Sequence, residues 1–266
     1  MLGIASFACT FVIVQLGYHA LSDVPFSNEY VGLSIVGGVL AALLLSILFR
    51  ALQLEPVKGL VAVWFSLFVI QMFADLIEGA FFTTKVSTIT SFLGGTLAAL
   101  VTTFLESLTG LLLFPSVSSP LSLSRLLSAY FRARPGQLRL LAGSVSYFPV
   151  YFFFGALVSP FVIPYYTDQS LGLGLTIPSF YILVPIELLR GLLFVLALVP
   201  IIAAVKFSTK STFIFLALFL YVIGAFVPFV AGTTLPWILK LYHSLEILAD
   251  SIVYAAILAF LFKRGQ

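Results

Sequence analysis

The chain has 266 residues, of which 61% are hydrophobic and only 9% charged, and its mean hydropathy is +1.18. Soluble domains hold about 25% charged residues, so these figures exclude a soluble domain and a disordered polar tail; the single cysteine, Cys9, excludes a disulfide scaffold. The net charge of +3 is too small for a nucleic-acid binder, and its distribution along the chain reads as membrane topology.

A helix needs about 20 apolar residues to cross the hydrocarbon layer. Eight stretches qualify: 2–21, 30–50, 58–82, 88–114, 138–163, 178–205, 211–231 and 237–262. Backbone polar groups must be paired in lipid, which leaves helices or a closed barrel. The runs are long and continuous, as in Val31–Phe49 and Leu192–Val205, rather than short and alternating, so helices are expected. The expected fold is an all-α polytopic membrane bundle of eight transmembrane helices forming one transmembrane domain over 1–266.

In chain order, the first span carries Gln15 and His19 and lacks the basic start of a signal peptide, so it reads as a retained helix. Asp23, Pro25, Asn28 and Glu29 separate it from the second span, and Glu55 and Pro56 precede the third. The third holds Gln71, Asp75 and Glu78, and the fourth Glu106 among Thr102, Thr103 and Thr109. In the connection 115–137, Leu123, Leu126, Leu127, Tyr130 and Phe131 recur at helical spacing opposite Ser124, Arg125, Ser128 and Arg132. This reads as a short interfacial helix, with Arg125, Arg132 and Arg134 either meeting anionic headgroups or only fixing topology. The fifth span contains Pro149; Thr167, Asp168, Gln169, Ser170, Gly172 and Gly174 form the next loop. The sixth carries Glu187 and Arg190 between Pro185 and Pro200, the seventh Pro228, and the eighth His243, Glu246 and Asp250.

Gly79-Ala80, Gly155-Ala156 and Gly224-Ala225 lie in odd-numbered spans, and the span after each contains a glutamate: Glu106, Glu187 and Glu246. The pattern suggests a tandem helical hairpin, although Gly-Ala pairs are common at membrane helix contacts. Eight spans put Arg50, Lys58, Arg125, Arg132, Arg134, Arg139, Lys206, Lys210, Lys263 and Arg264 on one side and only Lys85 and Lys240 on the other. Cytoplasmic N and C termini follow from that asymmetry, in a plasma membrane, and a bacterial one given the compactness of the chain.

Intramembrane ionisable groups are costly and mark function by default. Gln71, Asp75 and Glu78 share one helix face; so do His243, Glu246 and Asp250, and Glu187 with Arg190. At about 1.5 Å per residue, Glu78 lies about 6 Å below the outer end of its span, Asp75 about 10, His243 about 9, Glu187 about 12, Glu246 about 14, Arg190 about 17 and Asp250 about 20 Å. Glu106 falls about 26 Å down and outside that layer. Five acids against one base must be neutralised by protons, cations or water. Plainer roles stand beside this: Glu187–Arg190 as an intrahelical ion pair, Asp75 and Glu78 reaching to the interface, His243 as a hydrogen-bond donor.

Three functions are therefore weighed. One is a small transporter or permease, its size suiting a homodimer, with an outward-facing acidic cavity for a cationic or polar ligand, and with proton coupling. Another is a non-catalytic complex subunit or sensor. The last is a membrane enzyme using a divalent metal at His243, Glu246 and Asp75; it lacks a His-Glu-x-x-His motif, and no other cofactor is expected. No nucleotide-binding motif occurs.

Overall fold

The computed structural model describes residues 2–21, 28–84, 88–115, 122–132, 134–231 and 235–263. The helices are α1 (Leu2–Leu21), α2 (Asn28–Ala51), α3 (Pro56–Leu67), α4 (Ala74–Phe82), α5 (Ile89–Leu113), α6 (Leu123–Phe131), α7 (Arg134–Thr167), α8 (Phe180–Ala204), α9 (Thr209–Tyr221) and α10 (Trp237–Lys263). Two π-helical segments, Phe68–Phe73 and Val222–Ala231, join α3 to α4 and extend α9. No strand occurs among the described residues; two isolated bridges are the only extended pairings there.

Seven of the eight expected spans are helices long and apolar enough to cross a membrane, from Val31–Ala51 to Trp237–Lys263. The expected first span is also helical, over Leu2–Leu21, with an apolar stretch of Leu2–Val14 among its described side chains. The chain is a multi-pass helical membrane protein. Its surface fits that role: Phe152, Phe153, Leu157 and Phe161 of α7 are exposed, as lipid-facing side chains are.

Local chemistry sets the helix ends. Pro56 occupies the first turn of α3, where its missing N–H costs nothing. Thr88 and Ser208 cap α5 and α9 by accepting from the backbone N–H of Ser91 and Ser211. Lys263 donates to the carbonyls of Val205 (2.8 Å) and Ile202 (3.3 Å), which the end of α8 leaves without helical partners. The short helix expected in 115–137 is α6; it packs Leu123 and Leu127 on the core against α7 and α8, with Arg125 and Arg132 exposed. Arg134 begins α7 and is exposed.

Packing is tightest where side chains are smallest. A Cβ on Gly191 would collide with the backbone carbonyl of Ser144, so α8 lies directly on α7 there. A Cβ on Gly155 would stand 3.0 Å from Glu246 Oε1, and one on Gly224 would stand 3.2 Å from Ile70. Those two Gly-Ala pairs are contacts between spans well separated in sequence. Leu52 pairs with Val205 and Thr83 with Leu175 as antiparallel bridges, one at each end of the loops flanking α8. At the second bridge Thr84 N–H donates to Gly174 and Thr176 N–H to Phe82, both at 2.8 Å. Gly172 and Gly174, at φ 62° and 66°, give that loop the left-handed turns it needs.

Candidate functional site

A cavity of about 370 Å³ lies among α4, α7, α8, α10 and the two π segments. It runs from Thr83, Leu175 and Leu235 at the loop ends down to Gln71, Asp250 and Ser251. Both π segments line it, through Ile70, Gln71 and Met72 on one side and Gly224, Val227 and Pro228 on the other. In the first, the N–H of Ala74 bonds the carbonyl of Val69, one residue further back than in an α-helix. Such a wide turn shifts the face of every residue after it, here Asp75 and Glu78.

Helix direction brings the charges together. Side chains on a helix tilt toward its N-terminus. The third span rises toward Thr83 and α8 descends from that level, so Glu78 leans down and Arg190 leans up. They meet at 2.8 Å. The same rule joins Gln71, on the rising span, to Glu106 on descending α5: Gln71 Nε2 donates to Glu106 Oε1 at 3.3 Å. Glu106 is therefore not isolated from the layer, as its height alone implies. It is buried behind Gln71, which itself lines the cavity.

Arg190 is the hub of one wall. One guanidinium nitrogen donates to both oxygens of Glu187, at 3.1 and 2.9 Å, and also reaches Glu78. Its carbon lies 5.6 Å from the ring centres of Tyr147 and Tyr151 and 6.0 Å from that of Phe194, within cation–π range. Tyr151 adds a hydrogen bond to Glu78 at 3.3 Å. Glu187 is fully buried and does not line the cavity, so its place is behind Arg190 as an intrahelical partner.

The opposite wall is α10. His243 Nδ1 pairs with Glu246 at 2.9 Å, and its Nε2 lies 3.2 Å from the Tyr166 hydroxyl. One turn below, Asp250 is 5% exposed, and its Oδ1 has no hydrogen-bond partner among the described residues. Gln71 Oε1 and Arg190 Nε share that condition. A buried polar atom left unpaired costs about 1–3 kcal/mol, and three such atoms belong to cavity-lining residues. Asp75 also lines the cavity and takes no hydrogen bond or ion pair among the described residues.

Of the residues singled out from sequence, Gln71, Asp75, Glu78, Arg190, His243, Glu246 and Asp250 share the cavity, and Glu187 stands one layer behind. The side chains of Gln15 and His19 lie outside the described residues. No group of three or more His, Cys, Asp or Glu among the described residues is placed to hold a metal ion. Sequence reasoning missed the tyrosines. Tyr147, Tyr151, Tyr166 and Tyr254 all line the cavity, and they read as apolar bulk in a hydrophobic chain. Spacing gave the signal: Tyr147 and Tyr151 are one turn apart, and Tyr254 continues the stripe of Glu246 and Asp250.

Comparison of the chain with protein-family models, with characterised proteins and with solved structures found no match.

Proposed function

We propose that the protein is a small permease whose acidic cavity binds a cationic ligand entering from the outer face. The observation that carries this is Asp250: a carboxylate buried in the middle of a long apolar helix, lining a cavity, with an oxygen that nothing among the described residues satisfies. Arg190 is one positive charge paired with both Glu78 and Glu187, and Glu246 pairs with His243, so Asp75 and Asp250 have no ion pair of their own among the described residues. In low dielectric that excess of negative charge has to be balanced. A cation that enters must displace the charge that balances it, and protons on the carboxyls are the simplest such charge, so entry of the ligand is coupled to proton release.

The basic residues orient the Thr83 end of the cavity outward. A site near the membrane midplane, flanked by irregular helix, fits the way transporters place their ligands. The test is flux in proteoliposomes with an imposed pH gradient, screening inorganic and organic cations. The expected result is cation-dependent proton movement in the wild type that Asp250→Asn abolishes. Absence of flux for every cation would leave the subunit or sensor reading.

A further inference from the structure

The site also constrains which cation it takes, if the permease reading holds. Two of its unsatisfied atoms, Asp250 Oδ1 and Gln71 Oε1, are acceptors. Gln71 is held with its oxygen free because its amide nitrogen donates to Glu106. Asp75 and Glu246 add further carboxylate oxygens to the wall. The unsatisfied donor, Arg190 Nε, belongs to a guanidinium already enclosed by Tyr147, Tyr151 and Phe194. The occupant must therefore bring positive charge to these oxygens, either as N–H donors or as an ion that they coordinate.

Three cation classes meet these demands poorly. A divalent metal needs a compact set of oxygen or nitrogen ligands, and no such group exists among the described residues. A quaternary ammonium carries charge but no N–H for Asp250 and Gln71. A small alkali ion is held by these oxygens alone and leaves the apolar part of the wall without contact. Much of the remaining wall is apolar, from Ile70, Met72, Leu76, Leu220, Val227 and Phe229. A large apolar wall with a few fixed polar groups is the general form of a small-organic-molecule site.

We infer that the ligand is an organic primary ammonium with an apolar, aromatic-sized body. Its N–H donors meet Asp250 and Gln71 as their buried oxygens turn toward the cavity, while its body lies against the aliphatic and tyrosine side chains of the wall.

The experiment is equilibrium binding of radiolabelled 2-phenylethylammonium to the purified full-length protein in lipid nanodiscs. 2-Phenylethanol, tetramethylammonium, sodium and magnesium serve as competitors. The expected result is saturable binding, displaced by the neutral alcohol and by tetramethylammonium at least about tenfold more weakly than by the unlabelled amine, the factor expected from losing hydrogen bonds to a charged acceptor. Asp250→Asn weakens binding by about tenfold or more, and Gln71→Leu weakens it by less. The Glu55→Gln variant, on the exposed surface, binds as the wild type does. Equal displacement by the alcohol overturns the inference, whether or not the Asp250 variant folds. So does the absence of saturable amine binding. If that absence accompanies Asp250-dependent flux of an inorganic cation, only the ligand class falls; if no cation moves in liposomes, the permease reading falls with it.

Discussion

Arg190 is the residue whose removal should cost most. It is 5% exposed, and taking it away leaves Glu187 fully buried and Glu78 beside it without a counter-charge. Breaking a buried ion pair by deleting one partner costs about 3–5 kcal/mol. The expected outcome for Arg190→Met is a marked fall in Tm in detergent, measured by thermal unfolding, which the double variant with Glu187→Gln partly restores. A Tm equal to the wild type's would show that the triad carries no stability. The sequence displayed Glu187 and Arg190 as an i,i+3 pair, and that local pairing is present in the structure. It did not display the third member, because the Glu78 contact depends on how two antiparallel helices are rotated about their axes. Asp250 was legible as a charge at mid-membrane. That its Oδ1 has no partner among the described residues was not, since satisfaction depends on neighbours from other spans.

Among elements, the π segment Phe68–Phe73 controls the cavity face of the third span. Inserting one alanine between Phe73 and Ala74, just past the wide turn, would rotate α4 by about 100° relative to the helix before it. Asp75 and Glu78 would then leave the cavity side. The expected outcome is loss of the Glu78–Arg190 contact with the bundle still assembled, read as a lowered Tm together with a monodisperse elution profile and no ligand binding. An insertion variant that binds normally would show that the register of α4 after the wide turn does not matter to the cavity. The first π segment was not legible in the sequence, because Phe68–Phe73 contains no proline or glycine and the extra residue is accommodated by packing against the rest of the bundle; the second contains Pro228, which marks an irregular helix though not its π form. A closer steric constraint holds α7 and α8. Gly191→Leu is expected to push the two helices apart and to prevent folding, seen as loss of monodisperse protein, because its first carbon already has no room beside Ser144.

For the molecule as a whole, the apolar runs and the basic residues were enough to read a helical membrane bundle, since segment length and hydropathy are local properties. Orientation remains a prediction at this scale. In a Cys9→Ser background, a cysteine at Ser170 is expected to react with a membrane-impermeant maleimide on intact cells, and one at Ser208 only after permeabilisation. The reverse labelling would invert the cavity's direction. The two bridges hold the loops on either side of α8. Ahead of this helix, Thr176 and Gly174 are stitched to the top of the third span; behind it, Gln53 and Lys206 lace it to the end of α2. α8 is thus a mast stayed at head and foot, and Arg190 rides on it. α10 is lashed to the mast at its foot through Lys263. Among the described residues no backbone bond ties its head to that mast. A tilt about the lower lashing would carry His243 through the widest arc and Asp250 through a narrower one. The arginine would hold station while the aspartate moved.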